Sequence, residues 1–121
     1  MAQGCEESAA REAIEQLRQE GLQSDRRFLE GFVRARVSKG YGEARIRQEL
    51  QLKGIDKDEA GECLRLYDWD ELLAGVYERR YGKGGPTSPR EHAARVRSLQ
   101  QRGFAAARIG SLLRRLRHDD D

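Results

Sequence analysis

Displaced along itself by 44 positions, the sequence meets a second stretch of the same character. Phe28 falls on Leu72, Leu29 on Leu73, Phe32 on Val76, Val33 on Tyr77, Val37 on Tyr81 and Lys39 on Lys83. Gly31 falls on Gly75. Farther along the offset becomes 49, with the difference taken up around Gly84-Gly85-Pro86-Thr87-Ser88-Pro89. Leu50 then falls on Leu99, Gly54 on Gly103, Ile55 on Phe104, Cys63 on Leu112 and Leu64 on Leu113, and Gly61 on Gly110. An offset of 47 adds Ala13 on Ala60, Leu17 on Leu64 and Arg18 on Arg65. Self-similarity at this period indicates a packing unit that buries a thin apolar face against its neighbours. Glycine inside a helix costs up to about 1 kcal/mol relative to alanine. The matched interior pairs Gly31/Gly75 and Gly61/Gly110 therefore predict close helix–helix approach at those points.

The apolar spacing within each stretch is helical, and no useful length alternates with period two. Phe28, Leu29, Phe32, Val33 and Val37 form one stripe, and Ile46 and Leu50 a thin second. Ala60, Cys63 and Leu64 form a third. Leu72, Leu73, Val76 and Tyr77 follow, then Val96 and Leu99, then Ile109, Leu112, Leu113 and Leu116. Gly21, Gly40, Gly54, Gly82 and Gly103 stand where helices should close through a left-handed residue. Asp56 to Glu59, Asp68 to Glu71 and Ser88 to Glu91 read as capping boxes, the last with Pro89 at the first helical position. Ile55 and Tyr67 can staple onto Ala60 and Leu72. These signals predict roughly seven helices of about 9 to 15 residues, of ordinary length. The expected fold is all-α, with tandem three-helix repeats forming an elongated, curved array. Residues 8–21 are a terminal helix equivalent to the third helix of a unit, 22–67 one full unit, 68–117 a second, and 118–121 an acidic tail.

Composition narrows the chemistry. Hydrophobic residues make up 37% of the 121 and charged residues 36%, lean for a core but sufficient if well placed. The net charge of +2 conceals an asymmetry: from Val76 to His118, eleven Lys/Arg face only Glu78 and Glu91. From Arg26 to Lys53, eight face three acids. Arginine outnumbers lysine, which stands only at 39, 53, 57 and 83, and its planar fork suits phosphate and carboxylate partners. Cys63 falls on an apolar stripe and is expected as a buried free thiol. With Cys5 as the only other cysteine, no disulfide framework is implied, in keeping with a reducing cytoplasm. No apolar run approaches the roughly 20 residues that cross a bilayer.

No catalytic constellation is apparent, so the chain is read as a non-enzymatic binding protein without a cofactor. His92 and His118 are the only histidines; His92 is expected to be partly buried or capping, and neither has metal-ligand spacing with the cysteines. No Walker loop, nucleophile elbow or dinucleotide signature occurs. Acid pairs such as Asp68 and Asp70 are accounted for by capping and helix-start electrostatics. Candidate partner- or DNA-binding residues are Arg34, Arg36, Lys39, Arg45, Arg47 and Lys53 in the first full unit, with Tyr41 at the turn. In the second they are Arg95, Arg97, Arg102, Arg108 and Arg115. Tyr41 could stack on a base, although a loop tyrosine packed on its own helices is the plainer reading.

The run from Gly40 to Ile55, with Tyr41, Arg45, Ile46, Glu49, Leu50, Lys53 and Gly54, resembles the most recognisable segment of the RecX family. Asp25 to Arg36 fits the helix before it, and Leu99 to Ile109 the family's closing repeat, so the similarity covers about residues 10 to 117. The resemblance implies tandem three-helix repeats. It also implies binding in the groove of the RecA filament on DNA, restraining filament growth, ATP hydrolysis and strand exchange, by a cytoplasmic monomer that does not touch membranes. Only seven residues precede the first expected helix, so about two helices of the family's first repeat are expected to be missing. Two other readings stand beside this one: a sequence-specific helix-turn-helix transcription regulator, and an adaptor between proteins that does not contact DNA.

Overall fold

The computed structural model describes residues 26–119, with the backbone alone for His118 and Asp119. The expected helix over 8–21, with Gly21 and Cys5, lies outside the described residues. All described secondary structure is helical. Helix α1 is described over 26–38. It is followed by α2 (Glu43–Leu52), α3 (Lys57–Leu64), α4 (Trp69–Tyr81), α5 (Pro89–Gln101) and α6 (Ala106–Asp119).

The chain divides into two compact units between Phe32 and Val33, inside α1. In the first, Phe28 and Phe32 stack with ring centroids 5.9 Å apart. In the second, α2 packs on α3, and α6 packs on both α4 and α5. The predicted stripes form the core of this unit. Ile46 and Leu50 are completely buried, as are Leu64, Leu99 and Ile109, and Leu73 and Tyr77 nearly so. Cys63 is buried, and among the described residues it forms no disulfide.

Helix starts follow the sequence signals with two changes. Asp68 accepts the Glu71 N–H at 3.1 Å, and Ser88 accepts the Glu91 N–H at the same distance. Asp56 occupies the N-cap of α3 but makes no side-chain cap bond. The Glu91 carboxylate accepts the Thr87 N–H at 2.9 Å and the Thr87 hydroxyl, instead of the Ser88 N–H of a standard box. Those Thr87 donors hold the Glu91 carboxyl below its ordinary range, with Arg95 adding a smaller electrostatic pull. At the other ends, Gly40, Gly54, Gly82 and Gly103 all have φ between 80° and 105°, as expected. α6 runs on to Asp119, past the expected end near 117.

Three further expectations change. Trp69, read only as part of a capping box, is 5% exposed, and its indole N–H donates to Leu64 O at 2.9 Å. That carbonyl is among the last of α3, where intrahelical donors run out; it accepts the Tyr67 N–H at 3.4 Å as well, and the indole ties the end of α3 to the start of α4. His92 is exposed rather than partly buried: it shares the helix face of Val96 and Leu99 but stands in the first turn of α5, at the open end of that face. The interior glycines do not mark close helix approach. A Cβ at Gly31 would meet nothing within 4 Å. At Gly61, Gly75 and Gly110 it would meet the guanidinium four residues on, of Arg65, Arg79 and Arg114, at 3.6–3.7 Å. A long arginine side chain lies over each notch, and at Gly61 its Nε–H also donates to the glycine carbonyl at 3.1 Å.

Candidate partner-binding site

The close approach lies at the turns. The turn from α1 into α2 crosses the turn from α5 into α6, and the two backbones touch. Gly42 N–H donates to Arg102 O at 2.7 Å, and Ala44 N–H donates to Gly103 O at 3.0 Å. These donors sit at the start of α2, where no intrahelical acceptor exists. Gly42 is the N-cap of that helix, where Ser, Thr or Asp would ordinarily supply a side-chain acceptor. No side chain fits there: a Cβ on Gly42 would stand 2.4 Å from the Gly103 carbonyl carbon. One on Gly103 would stand 2.4 Å from Arg45 Cβ, on a backbone with φ of +105° that L side chains rarely adopt.

Arginines gather around this joint. The Arg102 guanidinium donates to Lys39 O at 3.2 Å and reaches Gly40 O at 3.4 Å. Tyr41 is half-buried, with the guanidinium carbons of Arg45, Arg36 and Arg102 at 4.0, 5.6 and 5.9 Å from its ring centroid. All three are within the reach of a cation–π contact. Glu49 gathers two of these cations, Arg36 at 2.9 Å and Arg45 at 3.3 Å. Glu49 Oε2 is closed from solvent without a well-directed hydrogen bond, so Arg36 Nε meets it as an opposite charge. Two guanidinium groups share one carboxylate and a third, of Arg102, meets only backbone carbonyls, which leaves the joint positive. Arg36, Tyr41, Arg45 and Arg102, 66 positions apart at the extremes, are thus brought together as a half-buried structural cluster.

The remaining candidates separate into paired and outward-facing. Arg47 pairs with Glu43 at 2.7 Å along α2. Arg95 donates to Tyr77 Oη at 2.7 Å, approaches Glu91 at 3.4 Å and lies 4.7 Å from the Tyr81 ring centroid. It braces α5 against α4, and is largely covered. Arg108 pairs with Asp70 at 2.8 Å, and that hydrogen bond raises its pKa further above its ordinary value. Both partners are well exposed, so the pair contributes little stability. Arg34, Arg97 and Arg115 are exposed and make no hydrogen bond or ion pair among the described residues. Lys39 and Lys53 are exposed as well.

Sequence reasoning did not single out Glu49 or Gly42 as parts of this cluster. Glu49 had a visible signal, since it stands four residues after Arg45 on a helix, the spacing of a surface pair. Gly42 had one too: it occupies an N-cap without a capping side chain. Among the described residues, no group of three or more His, Cys, Asp or Glu is placed to hold a metal ion. No described helix is long and apolar enough to cross a membrane.

Comparison with known proteins bears on the same residues. Residues 24–64, which include α1 as described, the α1–α2 turn and Glu49, match the family model described as RecX, second three-helix domain. The chain is 39% identical over 112 residues to the "Regulatory protein RecX" of Pseudomonas entomophila (strain L48), covering 91% of this chain and 72% of that one. It is 41% identical over 103 residues to the protein of the same name from Pseudomonas putida (strain W619), covering 84% and 66%. With that of Ectopseudomonas mendocina (strain ymp) it shares 40% over 104 residues, covering 84% and 69%. An all-helical fold, a matching three-helix domain and similarity along most of the sequence together show that this chain belongs to the RecX family.

Proposed function

We propose that the chain restrains RecA recombinase by binding the RecA–DNA filament through its basic helical faces, as a monomer in the cytoplasm. The observation that carries this reading is the set of cations left over once internal pairing is complete. Arg34, Arg97 and Arg115 project into solvent without a hydrogen bond or ion pair among the described residues. Charges displayed in this way suit phosphates or a carboxylate-lined protein groove, and give affinity that falls with salt. Membership of a family whose members are named as regulatory proteins supports the same reading. In this proposal 22–67 and 68–117 act as successive modules along the filament, and the turn joint sets their register.

The test is a titration of the chain into RecA on single-stranded DNA, reading ATP hydrolysis. Hydrolysis should slow at or below one chain per RecA subunit; an unchanged rate with the chain in excess overturns the proposal. A binding-site selection that returned a preferred duplex sequence would favour a sequence-reading regulator instead.

A further inference from the structure

The loop between α4 and α5 is where the two halves of the sequence repeat fall out of step, and a groove of about 610 Å³ opens beneath it. Pro86 and Pro89 line one side, and Leu113 and Gly110 of α6 line the other. The rim is cationic: Arg114 and Arg117 line the groove beside His92, and no carboxylate does. Arg114 donates to the neutral Ser111 hydroxyl at 3.2 Å, so its charge is not compensated there.

The loop wall is held at both ends. The Tyr77 hydroxyl donates to Gly84 O at 2.9 Å and accepts from Arg95 at 2.7 Å. At the other end Glu91 holds Thr87 through both its N–H and its hydroxyl. A wall fixed by its own side chains loses little freedom when the groove is filled. The volume lies within the range of clefts that hold a small ligand, on the order of 300–1,000 Å³.

We infer that this groove binds a short acidic peptide segment that carries an apolar side chain. The apolar residue enters against Pro86, Pro89 and Leu113, and carboxylates on either side of it meet Arg114 and Arg117, with Arg114 turning from its place over Gly110 to do so. Charge complementarity selects an anionic partner, and the proline and leucine lining favours a peptide over a nucleic-acid backbone, whose sugars present no protruding apolar side chain. The site is separate from the turn joint and does not depend on RecA being the partner.

Gly110 provides the test. Gly110 lines the groove and a Cβ there would meet only Arg114 Nη1, at 3.6 Å, so Gly110→Leu puts an apolar side chain at the groove wall and replaces a poor helix former with a good one. The probe is a fluorescein-labelled hexapeptide with two leucines between pairs of aspartates, followed by anisotropy against the full chain. Binding should saturate, and should weaken at least about tenfold when the leucines become serines, the scale of one buried leucine. G110L should lose at least about tenfold in affinity while its melting temperature is unchanged or raised. The double variant R114E/R117E should lose binding as well, and decides the matter if G110L does not fold. Unchanged peptide affinity in the folded G110L or in R114E/R117E overturns the inference, as does equal binding of the serine peptide. Labelled oligothymidylate that G110L displaces, with the peptide unaffected, would likewise overturn it by making the occupant a nucleic acid.

Discussion

At Gly42 and Gly103 a missing Cβ lets two turns touch, whereas at Gly75 a missing Cβ leaves only a notch covered by Arg79. The two kinds of glycine should answer substitution in opposite ways. Gly42→Ala drives a methyl into backbone and should cost about 1–3 kcal/mol, the usual cost of overpacking. Gly75→Ala meets only the flexible end of an arginine and should gain up to about 1 kcal/mol from helix propensity. Thermal melts of the two variants check this, and equal shifts would mean that the joint yields more readily than its geometry indicates. The matching of glycines across the repeat was legible in the sequence, but their role was not. A repeat shows that a position is special, whereas the distance to another backbone appears only once both turns are folded. The same limit applied to Glu49, whose α2 neighbour Arg45 could be read by spacing while Arg36, on another helix, could not.

Helices start and stop where caps and glycines place them, and most of those boundaries could be read directly. The stripes for α2 to α6 face the core, with Leu72, Val96 and Leu116 half-buried at its edges, because thin apolar faces leave little choice of which side turns inward. The exceptions come from side chains that make longer reaches, as Trp69 does to Leu64 O and Glu91 to Thr87. Glu91 gives the start of α5 an acid sensitivity. Its folded carboxyl releases its proton more readily than in the unfolded chain, since the Thr87 donors favour the charged form. The stability this supplies is complete above the ordinary glutamate value of about 4.5 and is lost as pH falls through the lower, folded value. Glu91→Gln should therefore flatten the acid limb of stability below that pH and lower stability at neutral pH. Denaturation midpoints followed across the acid range read this out, and an unchanged slope would remove Glu91 from the account.

Over the whole molecule, charge is divided between arginines that hold the fold and arginines that face outward. Burial and pairing draw that line, and a linear sequence of similar residues does not carry it. Arg95, held by Tyr77 and Glu91, should behave as a structural residue, and Arg95→Glu should lower the melting temperature. Reversing Arg34, Arg97 and Arg115 together should leave helicity and melting unchanged while weakening binding to RecA–DNA filaments and reducing its dependence on salt. Circular dichroism beside a binding isotherm at two salt concentrations separates the two outcomes. Loss of helicity in the triple variant would place those arginines in the fold instead.

The chain contains a single tryptophan, Trp69, sealed between the end of α3 and the start of α4 with its indole N–H bonded to a backbone carbonyl. The molecule thus carries its own optical gauge at the link between consecutive helices. Emission should be blue-shifted in the folded chain and move to the red when that link opens. Local opening there would be visible in intrinsic fluorescence before helicity is lost elsewhere, with no dye attached.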